Sequence, residues 1–512
     1  MRSSRACAKP PRSSEADAPS PLRESLRTFF PSRRRLLGAA SASGALLAIG
    51  CKPSEPVPEV SRPGAASTDG KAPAAVSTAG SLRLDLRHSV TGGVDAFQLV
   101  RVRAEPHWPG RTSRPGDALG WGDYRLSALD PADGAPLFRT GFDSPAGASA
   151  ASAATGLSVR LPVPRRPVRI VIEKRRAGSV FQTAWEVALD PSDRAIDRSS
   201  PSPSPRVDAV FIHGAAPTKA DIAILGEGYR SAEYAKFLAD AKRAAGYLFS
   251  VEPFAARMRD FNVHAVFTPS AESGATDAYL GIRRDTAFGA TYGSGIAERT
   301  LAVTDNHALY EAAAAVPYDF LLVLVNARRY GGSAFFGGPA AVAIDNAAAR
   351  YLVLHEFAHV IGGLADEYYV PAGEGPMYRG NVEPWHPNVT LSAAGAKWQA
   401  PGARGSVAPA TWNKREYDKY FAGYVKRYER LRASNVDEAV VEKFMATESA
   451  RQAALLAKNT ASRRVGAFEG ANGYATGMFR SEADCIMFSL QTDYFCHACT
   501  YAIEQMIAEH AG

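Results

Sequence analysis

The chain is short of cysteine, with five in 512 residues, too few to hold a fold together as a disulfide scaffold. It has no apolar run fit for a permanent membrane span. Its most hydrophobic stretch, Leu36 to Gly50, would reach only about 22 Å as a helix, against roughly 30 Å of hydrocarbon. Sustained charge of one sign is missing as well. The formal net charge is +7, from 59 basic and 52 acidic side chains. Nine of the basic and three of the acidic groups lie in residues 1–50, so a single net positive charge remains for the rest. A phosphate-binding surface has little support from that balance, and no nucleic-acid partner is expected. No internal repeat is evident. What is present is ordinary globular composition, 46% hydrophobic and 22% charged, long enough for two or three domains at roughly 150 residues each.

The N-terminus reads as an address. Ser32-Arg33-Arg34-Arg35-Leu36-Leu37 resembles a twin-arginine export motif, and Ala48-Ile49-Gly50-Cys51 resembles a lipobox, with Ala48 where leucine is usual. Residues 1–50 are therefore expected to be an export signal, and Cys51 the point of lipidation. The expected location is the cell envelope or surface, lipid-anchored, or otherwise periplasmic or secreted. Membrane contact would come only through that anchor. Residues 51–80, rich in Pro, Ala, Ser and Thr, have no hydrophobic period and read as a flexible linker.

Beyond the linker the pattern divides in two. Residues 81–197 hold period-two runs such as Leu82 to His88, Phe97 to Val102 and Val168 to Glu173, which predict a small antiparallel β-sandwich. No histidines or paired acids cluster there, so it is assigned no catalytic role. A Pro/Ser break at residues 198–206 leads to residues 207–512, where strands such as Phe320 to Val325 alternate with helical segments. That is a mixed α+β or α/β domain, with a charged helical insertion at about 414–464.

The chemistry concentrates at His355-Glu356-Phe357-Ala358-His359. Residues 347–361 lack Pro and Gly, Asp345 or Asn346 can cap a helix, and Gly362-Gly363 can stop it. Four residues apart, the two histidines share one helix face and can both reach one Zn²⁺. Glu356, at the edge of that face, can take a proton from an activated water. A bland alternative, two structural histidines, would leave polar groups unpaired among Tyr351 to Ile361. A catalytic zinc needs a third protein ligand; Asp366 is the first choice and Glu367 the second, with Glu374, Glu383 and His386 as rivals farther on.

These segments, with Asp221 to Tyr229, Glu252-Pro253-Phe254, Phe261-Asn262-Val263, Ser270 to Gly274, Phe468-Glu469-Gly470 and Cys485-Ile486-Met487, resemble the bacterial immunoglobulin A peptidases, zinc metallopeptidases with metzincin-like features. The resemblance implies a metzincin-like peptidase domain behind the sandwich, one catalytic Zn²⁺ and a protein or peptide substrate. It also implies a Met-turn at Met487 beneath the metal. Metzincin spacing would put the third ligand at Ala365, and Asp366 fits only if Gly363 rather than Gly362 makes the turn. The glycines of residues 331–338 flank a short apolar strand at 339–345, expected to be an exposed edge to which substrate adds as a further strand. Among Cys485, Cys496 and Cys499 a disulfide is favoured over a second zinc site that also uses His497. The expected activity is zinc-dependent endoproteolysis of extracellular or envelope proteins. The alternative is a surface-displayed binding lipoprotein with a structural or vestigial zinc site.

Overall fold

The computed structural model describes residues 76–110, 117–147, 154–200, 204–293, 298–369, 371, 382–398, 409–460 and 463–511. The export signal, Cys51, the linker as far as residue 75, and Glu374 lie outside them.

The first unit is antiparallel throughout. Strands β1 (Val76–Thr91), β2 (Val94–Glu105) and β5 (Thr155–Pro164) form one sheet in the order β2-β1-β5. Strands β3 (Tyr124–Leu129), β4 (Pro136–Phe142), β6 (Val168–Arg175) and β7 (Phe181–Leu189) form the other, in the order β4-β3-β6-β7. Leu82, Leu84 and Leu86 alternate along β1 and meet Leu126, Ile170 and Ile172 in one shared core, the signature of a sandwich. Alternation predicts solvent on the other face of β1, yet Arg83 and Asp85 are fully buried there. They lie against helix α2 (Asn306–Ala313) of the second unit, whose Glu311 pairs with Arg83 at 2.7 Å. The charges survive burial because each is matched: Arg83 also bonds Asp85 at 2.8 Å and Glu105 at 2.6 Å.

The second unit is built on a six-stranded mixed sheet. In chain order its strands are β8 (Arg206–Phe211), β9 (Ala220–Glu227), β10 (Phe261–Phe267), β11 (Phe320–Val325), β12 (Gly332–Ser333) and β13 (Pro339–Ala343). Their order in space is β12-β13-β11-β9-β10-β8, with the four inner strands parallel and both edges antiparallel. β9 and β11 are buried along their whole length, which is why they read as unbroken apolar runs. Helix α1 (Tyr234–Leu248) and helix α3 (Ala349–Gly362) pack on this sheet, and α1 and helix α6 (His497–His510) both pack on α3, so α3 is enclosed in the core.

The expected exposed edge is corrected here. Residues 339–343 are buried and second from the edge, because β12 pairs outside them. Gly332 of β12 is itself bridged to Thr300, so the outer rim is already partly covered. The remaining segment contains helices α4 (Lys414–Ala433) and α5 (Glu438–Thr460), stacked through Tyr424, Tyr428 and Phe444. A small sheet joins Val389–Thr390, Pro409–Ala410, Ala467–Ala471 and Tyr474–Arg480.

Candidate metal centre

Helix α3 starts where the Asn346 side chain accepts the Ala348 amide at 2.8 Å. It stops at Gly363, whose backbone is left-handed (φ 55°, ψ 32°). A side chain at 363 would also strike the Trp385 ring, 2.7 Å from the position of its Cβ. The turn therefore falls at Gly363, the condition under which Asp366 swings back over the helix. Ala365 instead packs with Val389, Ala471 and Met478. The backbone of the next two residues is held from both sides: the Asp366 carbonyl accepts the Asn472 amide at 2.9 Å, and the Glu367 amide donates to the Met487 carbonyl at 2.8 Å.

Three side-chain atoms converge as a result. His355 Nε2 lies 3.0 Å from Asp366 Oδ1, His359 Nε2 lies 3.3 Å from the same oxygen, and the two Nε2 atoms are 3.3 Å apart. Ligands at tetrahedral vertices around an ion with bonds of about 2.0 Å are separated by about 3.3 Å. The opposite ring nitrogens are committed elsewhere. His359 Nδ1 donates to the Leu364 carbonyl at 2.6 Å, and His355 Nδ1 donates to the Ile486 carbonyl at 3.1 Å. Since a carbonyl can only accept, each Nδ1 carries a proton, that of His355 beside the Tyr351 hydroxyl as well, and both Nε2 atoms are turned towards each other and a carboxylate oxygen. Such a convergence calls for positive charge, a proton or a metal cation, between the imidazoles and the carboxylate. The donor set, two imidazoles and one carboxylate, suits zinc.

The electrostatics agree. Burial would lower His359, but the hydrogen bond and charge of Asp366, with the charge of Glu356, lift it to about 9. Burial would raise Asp366, but the two imidazoles hold it well below the usual carboxylate range. The field at this point favours positive charge. Glu356 is raised by its burial, with the imidazoles pulling the other way and Asp366 adding to the rise. No hydrogen bond reaches its carboxylate among the described residues, so both oxygens are open to the cleft.

Of the other candidates, Glu367 points away into a separate buried cluster. Glu383 is tied to Lys397 at 3.0 Å and to the Leu391 amide at 2.9 Å. His386 stacks on Trp385 and lines an adjoining cavity without joining the three-atom group. Met487 is fully buried in the segment that supplies the Ile486 carbonyl. The expected disulfide is not formed: Cys485, Cys496 and Cys499 are all free and buried.

The three-atom group and Glu356 open on a cleft of about 270 Å³. Several of its walls were not singled out by the sequence. Tyr368 stacks over His355 with ring centroids 6.2 Å apart, and Arg299 sits over the Tyr368 ring. Tyr420 and Tyr424 come from α4, and Gln452 from α5, so the helical insertion forms one side of the cleft. Gly332 belongs to the opposite side. A Cβ there would lie 2.6 Å from Glu356 Oε1, so the bare backbone is what lets the carboxylate lie against the sheet edge. The only signal of this in the sequence is the glycine-rich run itself.

Comparison with known proteins gives the site its context. Residues 210–507 match the family described as IgA Peptidase M64, and residues 74–186 match the family described as Peptidase M64 N-terminus. No curated protein matches the chain. The first match takes in more than half of the 512 residues, from β8 through the metal centre into α6, and the chain accordingly belongs to the M64 family of IgA peptidases, a family of metallopeptidases.

Proposed function

We propose that this protein is a zinc-dependent endopeptidase acting on extracellular or envelope proteins, with His355, His359 and Asp366 as metal ligands and Glu356 as general base. The observation that carries the reading is the meeting of three ligand atoms within 3.0–3.3 Å beside an unbonded carboxylate at the floor of an open cleft. Zinc held there supplies Lewis acidity, acidifying a water and polarising the scissile carbonyl. Glu356, buried and without a hydrogen bond among the described residues, takes the proton of the attacking water and passes it to the leaving amine. The Leu364 and Ile486 carbonyls keep both imidazoles in the tautomer that presents Nε2. Tyr368 and Arg299, at the cleft wall beside Asp366, supply donors to a peptide backbone. The export signal and lipidated Cys51 complete the proposal by placing this cleft at the envelope surface.

A peptide-library digest comparing wild type with Glu356→Gln tests the assignment. The variant should keep its metal and lose at least a hundredfold in kcat, a loss of the size general-base removal brings. Undiminished turnover would overturn the role given to Glu356. The binding-lipoprotein alternative predicts no chelator-sensitive cleavage by either protein. An open cleft and an unshared carboxylate speak against it, since structural zinc sites are closed by four protein ligands.

A further inference from the structure

We propose that Glu367, Cys485, Cys496 and Cys499 form a second zinc site, closed and structural, directly behind the first. The four ligand atoms all lie within 4.8 Å of one another. Cys485 Sγ is 3.7 Å from Cys499 Sγ, and Glu367 Oε1 is 3.3 Å from the sulfurs of both Cys496 and Cys499. Around one ion with Zn–S bonds of about 2.3 Å, tetrahedral geometry separates two sulfurs by about 3.8 Å, and a sulfur from a carboxylate oxygen by about 3.5 Å. All four residues are completely buried.

The surroundings fit a metal better than they fit an empty polar pocket. Glu367 Oε2 is buried with no partner, and Oε1 has only the Asn388 amide at 3.2 Å besides the thiols. A carboxylate withdrawn from water on those terms is costly unless a cation compensates it. The Cys496 amide donates to Cys485 Sγ at 3.2 Å, the kind of contact that steadies a thiolate. Cys496 caps the fourteen-residue helix α6 and Cys499 sits in its first turn, where the helix dipole favours negative sulfur. Three thiolates and a carboxylate on one dication carry a net charge of −2, half of which the buried guanidinium of Arg480 offsets. His497, in contrast, is not part of the cluster. Loading exchanges the protons of the ligand groups for one Zn²⁺ and changes no oxidation state.

The placement gives this ion a task. Glu367 follows Asp366, and Cys485 precedes Ile486, whose carbonyl orients His355. The Glu367 amide also donates to the Met487 carbonyl. A metal joining residues 367 and 485 would fix both segments that aim the catalytic ligands. The second site does not depend on the proteolytic reading.

The test is zinc content per purified chain, with Co²⁺ as a spectroscopic probe. Wild type should hold close to two zinc ions, and His355→Ala/His359→Ala close to one. The Co²⁺-loaded double histidine variant should still show a strong near-ultraviolet thiolate-to-cobalt band, and adding Cys496→Ser/Cys499→Ser should abolish it. If the cysteine variants do not fold, the histidine variant alone decides. A metal-free histidine variant with no such band overturns the second site, as does a thiol count on the denatured wild type that reveals a disulfide. Loss of the proteolytic reading would look different: the thiolate band would persist while the histidine substitutions left zinc content unchanged.

Discussion

At the scale of single residues, the site depends on what is absent as much as on what is present. Gly332→Ala would put a methyl carbon 2.6 Å from Glu356 Oε1, forcing the carboxylate to move while the three converging atoms of His355, His359 and Asp366 stay in place. A displacement of that kind can cost about a hundredfold in rate, so kcat should fall steeply with zinc content unchanged; equal losses of both would point to a folding defect. Asp366→Ala should instead lower zinc content at the first site, measured by elemental analysis after dialysis against a weak chelator. His355, Glu356 and His359 were legible because their relation is local: a helix fixes side chains four apart without reference to anything else. Gly332, Tyr368 and Arg299 were not, since each acquires its neighbours only when separate segments fold together. The cysteines show the same limit. Their number and their CxxC spacing were visible, but the fourth member of the cluster, Glu367, lies more than a hundred residues away in sequence.

At the scale of elements, the turn after α3 decides which acid faces the two histidines. Gly363→Ala places a Cβ in a left-handed conformation and against Trp385. The conformation alone costs about 1 kcal/mol, and the reorientation of residues 364–366 should weaken zinc binding at least tenfold in a chelator competition. A second effect belongs to the sheet. Asp221, the second residue of β9, is fully buried, with Oδ1 accepting from Asn262 at 2.9 Å and Oδ2 unpartnered among the described residues. Burial, and then the like charge of Asp319, push its carboxyl up to about 8. The folded chain therefore holds this proton more tightly than the unfolded chain. The stability linked to it is fully present below about 3.8 and is lost as pH rises towards 8. Asp221→Asn, which carries no charge to lose, should raise the thermal midpoint by a few degrees near pH 8, with the gain fading near pH 4. Wild type and variant with parallel pH profiles would show that Asp221 is already ionised in the folded state. The strands themselves were readable from unbroken apolar runs. The position of residues 339–343 inside the sheet was not, because two-residue β12 leaves almost no periodic trace.

At the scale of the molecule, the sandwich and the peptidase unit share a buried ionic seam. Arg83, Asp85 and Glu105 from β1 and β2 meet Glu311 of α2 with no exposure at Arg83. Replacing Arg83 with methionine removes the one fully buried cation of the seam, leaving Asp85 to Arg101 at 2.7 Å and Glu105 to Arg160 at 3.5 Å. Breaking one side of such a network costs ~3–5 kcal/mol, which should appear as a lower urea midpoint. An unchanged midpoint would mean that water reaches the seam. Alternation along β1 foretold one buried face correctly; that the charged face is buried too depends on a helix more than two hundred residues downstream, beyond the reach of periodicity.

The paired helices α4 and α5 leave and re-enter the body at adjoining strands, with Pro409 beside Ala467 and Ala410 beside Phe468. Their stems are thus side by side, while their inner faces carry Tyr420, Tyr424 and Gln452 into the cleft. Such an arrangement makes the hairpin an interchangeable cassette: evolution, or an engineer, can trade it for another of different length or lining without rerouting the chain that carries the ligands. Selectivity for peptide sequence and the power to hydrolyse would then be free to diverge.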